Sequence, residues 1–264
     1  MELQHRSSSK LHVIKLDVRK NEDIESARKY VVDILLKTNS ELWGLVNNAG
    51  ISMFMPFEWY STFEVLNIFN VNTFGPVNMT RTFIPHLRRS RGRIVNVASA
   101  GGRNSYPNSL IYCMSKHALV ALSDGLRREL APFGISVASI EPQAYRTPLF
   151  NAERLKQNMK ASFRSCSEDV KQAYGEGYDE RLAEAMITNV YNDRNGAIVR
   201  NDINEVVDCM VHALTAVKPR HRYCPPEPLY IIAEFLLSLL PSEIVDGIFN
   251  TLLAPLSFNA LSSK

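Results

Sequence analysis

The sequence predicts an α/β protein built on a doubly wound parallel sheet with helices on both faces. Three observations predict it. Short apolar runs recur at Leu11–Leu16, Leu42–Val46, Arg93–Val97 and Ile135–Ile140. Helical patterns separate them, and the intervals are short enough to require right-handed crossovers between parallel strands. The chain has 264 residues, 45% hydrophobic and 22% charged, which suits one domain (1–264) with a sizeable core.

The elements follow in order. Leu11-His12-Val13-Ile14-Lys15-Leu16 reads as a strand ending at Asp17. Asn21 to about Lys37 is helical, with Ile24, Ala27, Val31, Ile34 and Leu35 on one face. Leu42–Val46 is an apolar strand closing on the small polar turn Asn47-Asn48-Ala49-Gly50. Ser61-Thr62-Phe63-Glu64 has the pattern of a capping box and opens a helical stretch that runs, with or without a break, to Arg88. Arg93–Val97 then leads to Ser99. The following helix carries Leu119, Leu122, Leu126 and Leu130 on its apolar side, and Gly134 closes it as a C′ residue.

Beyond Ile135–Ile140 and Glu141-Pro142 the alternation stops. Residues 150–200 form a polar, helix-prone insert broken by Gly175 and Gly177. Ligands of α/β sheets bind beyond the carboxyl ends of the strands, and the insert follows one such end. It is therefore expected to be a lid over a substrate, with a peripheral helical pair as the alternative. Asn201 is expected to cap a helix running to about Val217, and Arg222-Tyr223-Cys224 reads as a last short strand. Residues 228–258 form a C-terminal apolar segment whose run from Leu229 stops at Pro241. At about 18 Å as a helix that run is too short to span a bilayer. A membrane interface, the rim of an apolar cavity and plain core packing all remain open for it.

Composition excludes several function classes. A net charge of +3 is small for this length, and the densest basic run, Arg88 to Arg93, reads as a solvated turn whose cations face a helix C-terminus. No nucleic-acid partner is expected. Cys113, Cys166, Cys209 and Cys224 are widely spaced without a Cys-x-x-Cys pair, so neither a metal site nor a disulfide framework is expected. Residues 1–10 are polar and do not read as a secretory signal.

The chemistry-bearing pattern is Tyr112-Cys113-Met114-Ser115-Lys116, with Ser99 upstream at a strand end. Residues i and i+4 share a helix face, so the Lys116 ammonium is expected beside the Tyr112 phenol. A cation that close favours phenolate and is expected to lower a phenol pKa by about 1–3 units from about 10. Ser99 would hold the substrate oxygen. Tyr-x-x-x-Lys alone also fits an ordinary aromatic and a surface lysine on one helix, and what sets this pair apart is the company it keeps.

That company is Asn47-Asn48-Ala49-Gly50, Asn72 in Asn72-Thr73-Phe74-Gly75, the strand ending at Ser99, the Tyr112/Lys116 helix, and Ile135–Ile140 followed by Glu141-Pro142 and Thr147. The ordered series resembles the short-chain dehydrogenase/reductase family over nearly the whole chain. Ser99-Ala100-Gly101-Gly102-Arg103, Arg127-Arg128-Glu129-Leu130, Tyr145-Arg146-Thr147-Pro148 and Pro219-Arg220-His221-Arg222-Tyr223 are similar to its retinol and hydroxysteroid dehydrogenase branch.

The resemblance implies a Rossmann-like fold and hydride transfer between NAD or NADP and a lipid-like secondary or allylic alcohol, or the matching carbonyl. It implies that Tyr112 is the acid/base, Lys116 lowers its pKa and holds the nicotinamide ribose, Ser99 polarises the substrate oxygen, and Asn72 steadies a proton-relay water. Asn47, Ala49 and Gly50 would line the cofactor cleft, Asp17 would meet the adenine edge, and Thr147 would touch the carboxamide. By themselves, Asn72 and Asn47 read equally as a helix-kink residue and a sheet-end cap. The resemblance further implies a homodimer through the helices at 72–88 and 112–130. It is compatible with a membrane surface, and with an intracellular location, cytoplasmic or peripheral at the endoplasmic reticulum.

Two departures stand out. The family pattern opens with a strand, a glycine-rich turn and a helix N-terminus that hold the cofactor pyrophosphate. This sequence holds no Gly-x-x-x-Gly-x-Gly, and Met1-Glu2-Leu3 aligns within the family's second helix, as if an N-terminal unit of about 30 residues or more were truncated. Loss of that unit is expected to leave strand edges and apolar helix faces bare, so either the Leu11–Leu16 and Leu45–Asn47 strands re-pair directly or the chain is a truncated product that folds poorly. The second departure is Gln143, where the family places glycine near the nicotinamide. A non-catalytic dimerisation or binding module, or a truncated isoform that has lost dinucleotide binding, is therefore the alternative to an enzyme.

Overall fold

The computed structural model describes residues 11–149, 151–191, 199–225, 232, 236, 237 and 239–252. Four parallel strands form the sheet in the order β1-β2-β3-β6: β1 (Gly44–Asn47), β2 (Arg93–Val97), β3 (Ser136–Ile140) and β6 (Arg222–Tyr223). Leu45 pairs with Ile94, and Ile94 with Val137, so side chains stack in rows across the strands. Alternation then sends successive residues to opposite faces. Ile94 and Val137 pack with Ile24, Met79, Phe83, Leu87 and Leu130 on one side. Val95 and Ala138 pack with Val206, Ala213 and Tyr223 on the other. Both faces are covered, as a doubly wound sheet requires.

The first face is covered by α1 (Asn21–Thr38), α3 (Gly75–Ser90) and α4 (Leu110–Leu130). The helical stretch that opens at Ser61 does break. It runs as α2 (Thr62–Phe69), a π-turn at Asn70–Phe74, and then α3. Its start is the expected capping box: the Glu64 N–H donates to Ser61 Oγ at 3.3 Å, and the Ser61 N–H donates to Glu64 Oε2 at 2.7 Å. Gly134 adopts φ 75° after a short turn following α4, as its C′ role needs.

Three sequence expectations are corrected. Leu11–Leu16 forms no strand. A strand exists through its ladder, and among the described residues this segment pairs with none, β1 included, so direct re-pairing does not occur. Leu16 and Val18 are instead held by packing on the core below α1. Asn201 does not cap the next helix, α8 (Asn204–Thr215), because its side chain accepts from Arg146 Nε at 2.9 Å and Asp202 takes the Asn204 N–H. Arg93, in the basic run, is buried rather than solvated. Its guanidinium donates to the carbonyls of Ala213 and Ala216 at 2.8 and 2.6 Å, capping the far end of α8.

The insert contains α5 (Ala152–Ser165), α6 (Glu168–Tyr174) and α7 (Tyr178–Met186). It has its own core, where Leu155, Met159, Phe163, Tyr178, Leu182 and Met186 pack on Met55 and Trp59. At its base β4 (Ala144–Tyr145) lies parallel to β5 (Val199–Arg200). Glu205 fastens both, accepting from the Tyr145 hydroxyl at 2.6 Å and from Arg200 Nε at 2.8 Å. Much of the 228–258 segment lies outside the described residues, but α9 (Ser242–Leu252) is described, and its Phe249 ring stands 5.6 Å from that of Tyr106. No helix among the described residues is long and apolar enough to cross a membrane.

Candidate active site

The site is assembled at the carboxyl edge of the sheet, where β1, β2 and β3 deliver Asn47, Ser99 and Glu141. Ser99 is the N-cap of a short turn, Ala100–Gly102, and its Oγ accepts the Gly101 N–H at 3.1 Å. The turn packs against α4 so closely that a Cβ on Gly102 would lie 2.9 Å from the Lys116 carbonyl oxygen. A Cβ on the neighbouring Gly101 would lie 3.5 Å from the Tyr112 ring and 3.6 Å from Ser99 Oγ, so the turn sets the Ser99 hydroxyl beside that ring.

Lys116 follows one turn along α4, 4% exposed, with its Nζ 5.7 Å from the Tyr112 ring centroid. It donates to the Val97 carbonyl at 2.9 Å, tying α4 to the end of β2. Burial lowers its pKa from 10.5 to about 8. The expected lowering of the Tyr112 pKa does not appear. Burial pushes the phenol up to about 12, and the nearby Ser99 hydroxyl only partly offsets it. The reason is geometric: the ammonium turns toward Val97 rather than the phenol, so desolvation outweighs its field.

Asn72 sits at the π-turn, fully buried. Its amide accepts the Ile51 N–H and donates to the Ile51 carbonyl, both at 2.9 Å, and also donates to Ser115 Oγ at 3.0 Å. It thereby clamps the Asn48–Ile51 turn to α4. Ala49 and Gly50 are exposed on that turn, and a Cβ added to Gly50 would stand 3.6 Å from Lys116 Nζ and 3.7 Å from Asn72 Oδ1. Asn47 lies inward of them: its amide donates to Thr80 Oγ1 and to Asn96 Oδ1, and Asn96 donates on to Ser123. Asp17 lies apart, beside the start of α1, where hydrogen bonds from Arg19 lower its carboxyl to about 2. Thr147 lies two residues past β4, partly buried.

The structure therefore brings Ser99, Tyr112, Lys116, Asn72 and Gly50 together, and leaves Asp17 outside that group. Sequence reasoning missed Phe54 and Ser115. The Phe54 ring lies 6.0 Å from that of Tyr112, and Phe54 also packs on the core of the insert. The apolar run Met53-Phe54-Met55 beyond the small turn was the signal for it.

A nicotinamide dinucleotide, which the family pattern implies, fits one half of this site. Lys116 is a buried ammonium with three N–H donors, of which one is given to the Val97 carbonyl among the described residues, so it has donors to offer a ribose. The glycine at position 50 leaves the space above that ammonium unfilled.

Comparison with known proteins agrees with this geometry. A family model described as short chain dehydrogenase matches residues 1–158. Retinol dehydrogenase 7 of Rattus norvegicus is 41% identical over 223 residues, 84% of this chain and 68% of that protein. The 17-beta-hydroxysteroid dehydrogenase type 6 of Homo sapiens is 36% identical over 250 residues, 94% of this chain and 75% of that one. A solved short-chain dehydrogenase from Streptomyces avermitilis superposes with a TM-score of 0.65 at 26% identity, covering 93% of this chain and 81% of that one. Sheet order, the tyrosine–lysine helix and these likenesses agree, and the chain belongs to the short-chain dehydrogenase family.

Proposed function

We propose that the chain transfers hydride between NAD or NADP and a lipid-like secondary or allylic alcohol, of the retinoid or steroid class, or the corresponding carbonyl. The observation that carries this reading is the Ser99 hydroxyl set beside the Tyr112 ring, with the Lys116 ammonium buried 5.7 Å from that ring's centroid, at the sheet's carboxyl edge. The nicotinamide supplies or accepts the hydride when bound. The residues of the chain manage the proton.

With its pKa pushed up to about 12, Tyr112 carries its proton at neutral pH. It donates that proton to a carbonyl oxygen as the oxygen gains charge, and recovers it from an alcohol in the reverse direction. Ser99, fixed by the Gly101 N–H, holds the same oxygen against the phenol. Lys116, at about 8, is charged over most of the neutral range, and its field lowers the cost of phenolate once its free donors are engaged. Asn72 fixes the turn over Lys116 and keeps a proton-relay water in place, while Ala49 and Gly50 line the cofactor cleft. Asn47 sets the end of β1 beneath them, and when the dinucleotide is bound Thr147 would meet its carboxamide and Asp17 its adenine edge.

The apolar substrate class is supported by Phe54, which joins the Tyr112 ring to the aromatic core of the insert. The insert is accordingly read as the substrate lid. A homodimer through 72–88 and 112–130 is supported by Phe74 and Met114, large apolar side chains exposed on those two segments. Ile232, Leu236, Ile244 and Ile248, exposed near the C-terminus, support contact with a membrane surface, as at the endoplasmic reticulum.

The test is to titrate the purified chain with NADH and NADPH by fluorescence, then assay retinol and hydroxysteroids. Saturable binding and turnover are expected. Binding of neither nucleotide at millimolar concentration would leave a non-catalytic module.

A further inference from the structure

Arg103, Glu141 and Arg222 come from three segments of the chain and meet at one point. Glu141 is fully buried, and its carboxylate accepts from Arg103 Nε at 3.1 Å and Nη2 at 3.0 Å, from Arg222 Nε at 2.6 Å, and from Ser139 Oγ at 2.9 Å. A buried carboxylate requires such partners, but two arginines exceed what neutrality needs. The main chain shows what the extra fork does. The Ala98 N–H donates to the Ile140 carbonyl at 2.7 Å and the Ala100 N–H to the Pro142 carbonyl at 2.8 Å, so Ser99 sits between two rungs that bracket Glu141. On the other side, the Glu141 N–H donates to the Tyr223 carbonyl at 2.7 Å. Arg103 ends the very turn that Ser99 begins, and its N–H returns to the Ala100 carbonyl at 3.0 Å.

We propose that the Arg103–Glu141 fork is a positioning device that fixes the Ser99 turn against Tyr112, with Arg222 anchoring the same carboxylate to β6. The turn is held at its start by the Ala100 rung and at its end by the bidentate fork, so Ser99 Oγ has one place to stand. The fork touches no reacting atom. It acts through Ser99, and this role rests on the proton-transfer reading of that pair.

The test compares Glu141→Gln, Arg103→Met and Arg222→Met in the full chain, with Ser99→Ala as reference. The first readout needs no cofactor: the ¹³Cζ resonance of Tyr112 in tyrosine-labelled protein, identified by its loss in Tyr112→Phe. In Arg103→Met it is expected to move toward its Ser99→Ala position, whereas in Arg222→Met, which frees β6 rather than the turn, it stays near the native one. The second readout is kinetic. The Arg103 variant should lose about a hundredfold in kcat, as a displacement of about an ångström would cause, with KM nearly unchanged. Glu141→Gln should do both, and if it fails to fold the two arginine variants decide. A folded Arg103→Met with a native Tyr112 resonance would overturn the proposal, as would a loss confined to KM. Absence of turnover in the native chain would count against the enzyme reading alone, because the resonance still reports on the fork.

Discussion

Asn72 grips Ile51 by both edges of its amide, accepting from the N–H and donating to the carbonyl at 2.9 Å each way. One side chain thus replaces the strand partner that Ile51 lacks, and the π-turn is what brings Asn72 into register to do so. Asn72→Ala strands two main-chain groups and Ser115 Oγ, and should cost about 1–3 kcal/mol in urea unfolding. An unchanged midpoint would show that the clamp is redundant.

Tyr112→Phe removes one hydroxyl from a partly buried ring and leaves the packing intact. Turnover should fall by about two to four orders of magnitude while nucleotide affinity holds. Near-native turnover would refute the assignment of the proton to this phenol.

Lys116 provides a pH test that needs no substrate. Its folded pKa of about 8 lies below the 10.5 of a free lysine. Between those values the unfolded chain binds more protons than the folded one, so the buried ammonium costs stability in full below pH 8 and is relieved as pH rises toward 10.5. The span is worth on the order of 3 kcal/mol. The unfolding free energy of the native chain relative to Lys116→Met should therefore improve by about that amount across the window. A difference independent of pH would mean that the ammonium is not desolvated.

Gly102 has no room for a methyl group: a Cβ would come within 2.8 Å of Val120 Cγ2 and 2.9 Å of the Lys116 carbonyl. Gly102→Ala should push the Ser99 turn off α4, cost about 1–3 kcal/mol and depress kcat. Thermal unfolding and steady-state kinetics would measure both, and native values in each would show that the turn can shift freely.

Phe54→Ala should raise KM for a bulky apolar alcohol by about tenfold, the cost of losing part of a buried aromatic face. A small secondary alcohol should be indifferent to it. Equal effects on both would place Phe54 in the fold rather than in substrate choice.

Periodicity and local turn chemistry made much of this molecule legible. The capping box at Ser61, the end at Gly134 and the shared face of Tyr112 and Lys116 are decided within one or two helical turns, so sequence spacing suffices. What sequence could not give depends on distant groups. Leu11–Leu16 has strand composition, but a ladder needs a partner that no local pattern reports. The direction of the Tyr112 pKa turned on where the Lys116 ammonium points, and that is set by the Val97 carbonyl across the sheet.

The short ladder between Ala144–Tyr145 and Val199–Arg200 means that the insert begins and ends side by side, on a two-stranded ladder separate from the main sheet. An excursion with adjoining ends can be lengthened, shortened or exchanged wholesale while the catalytic floor stays put. Transplanting the segment between those strands from a relative of different appetite is therefore the natural route to a new substrate range, and Glu205 is the stitch that any graft would have to keep.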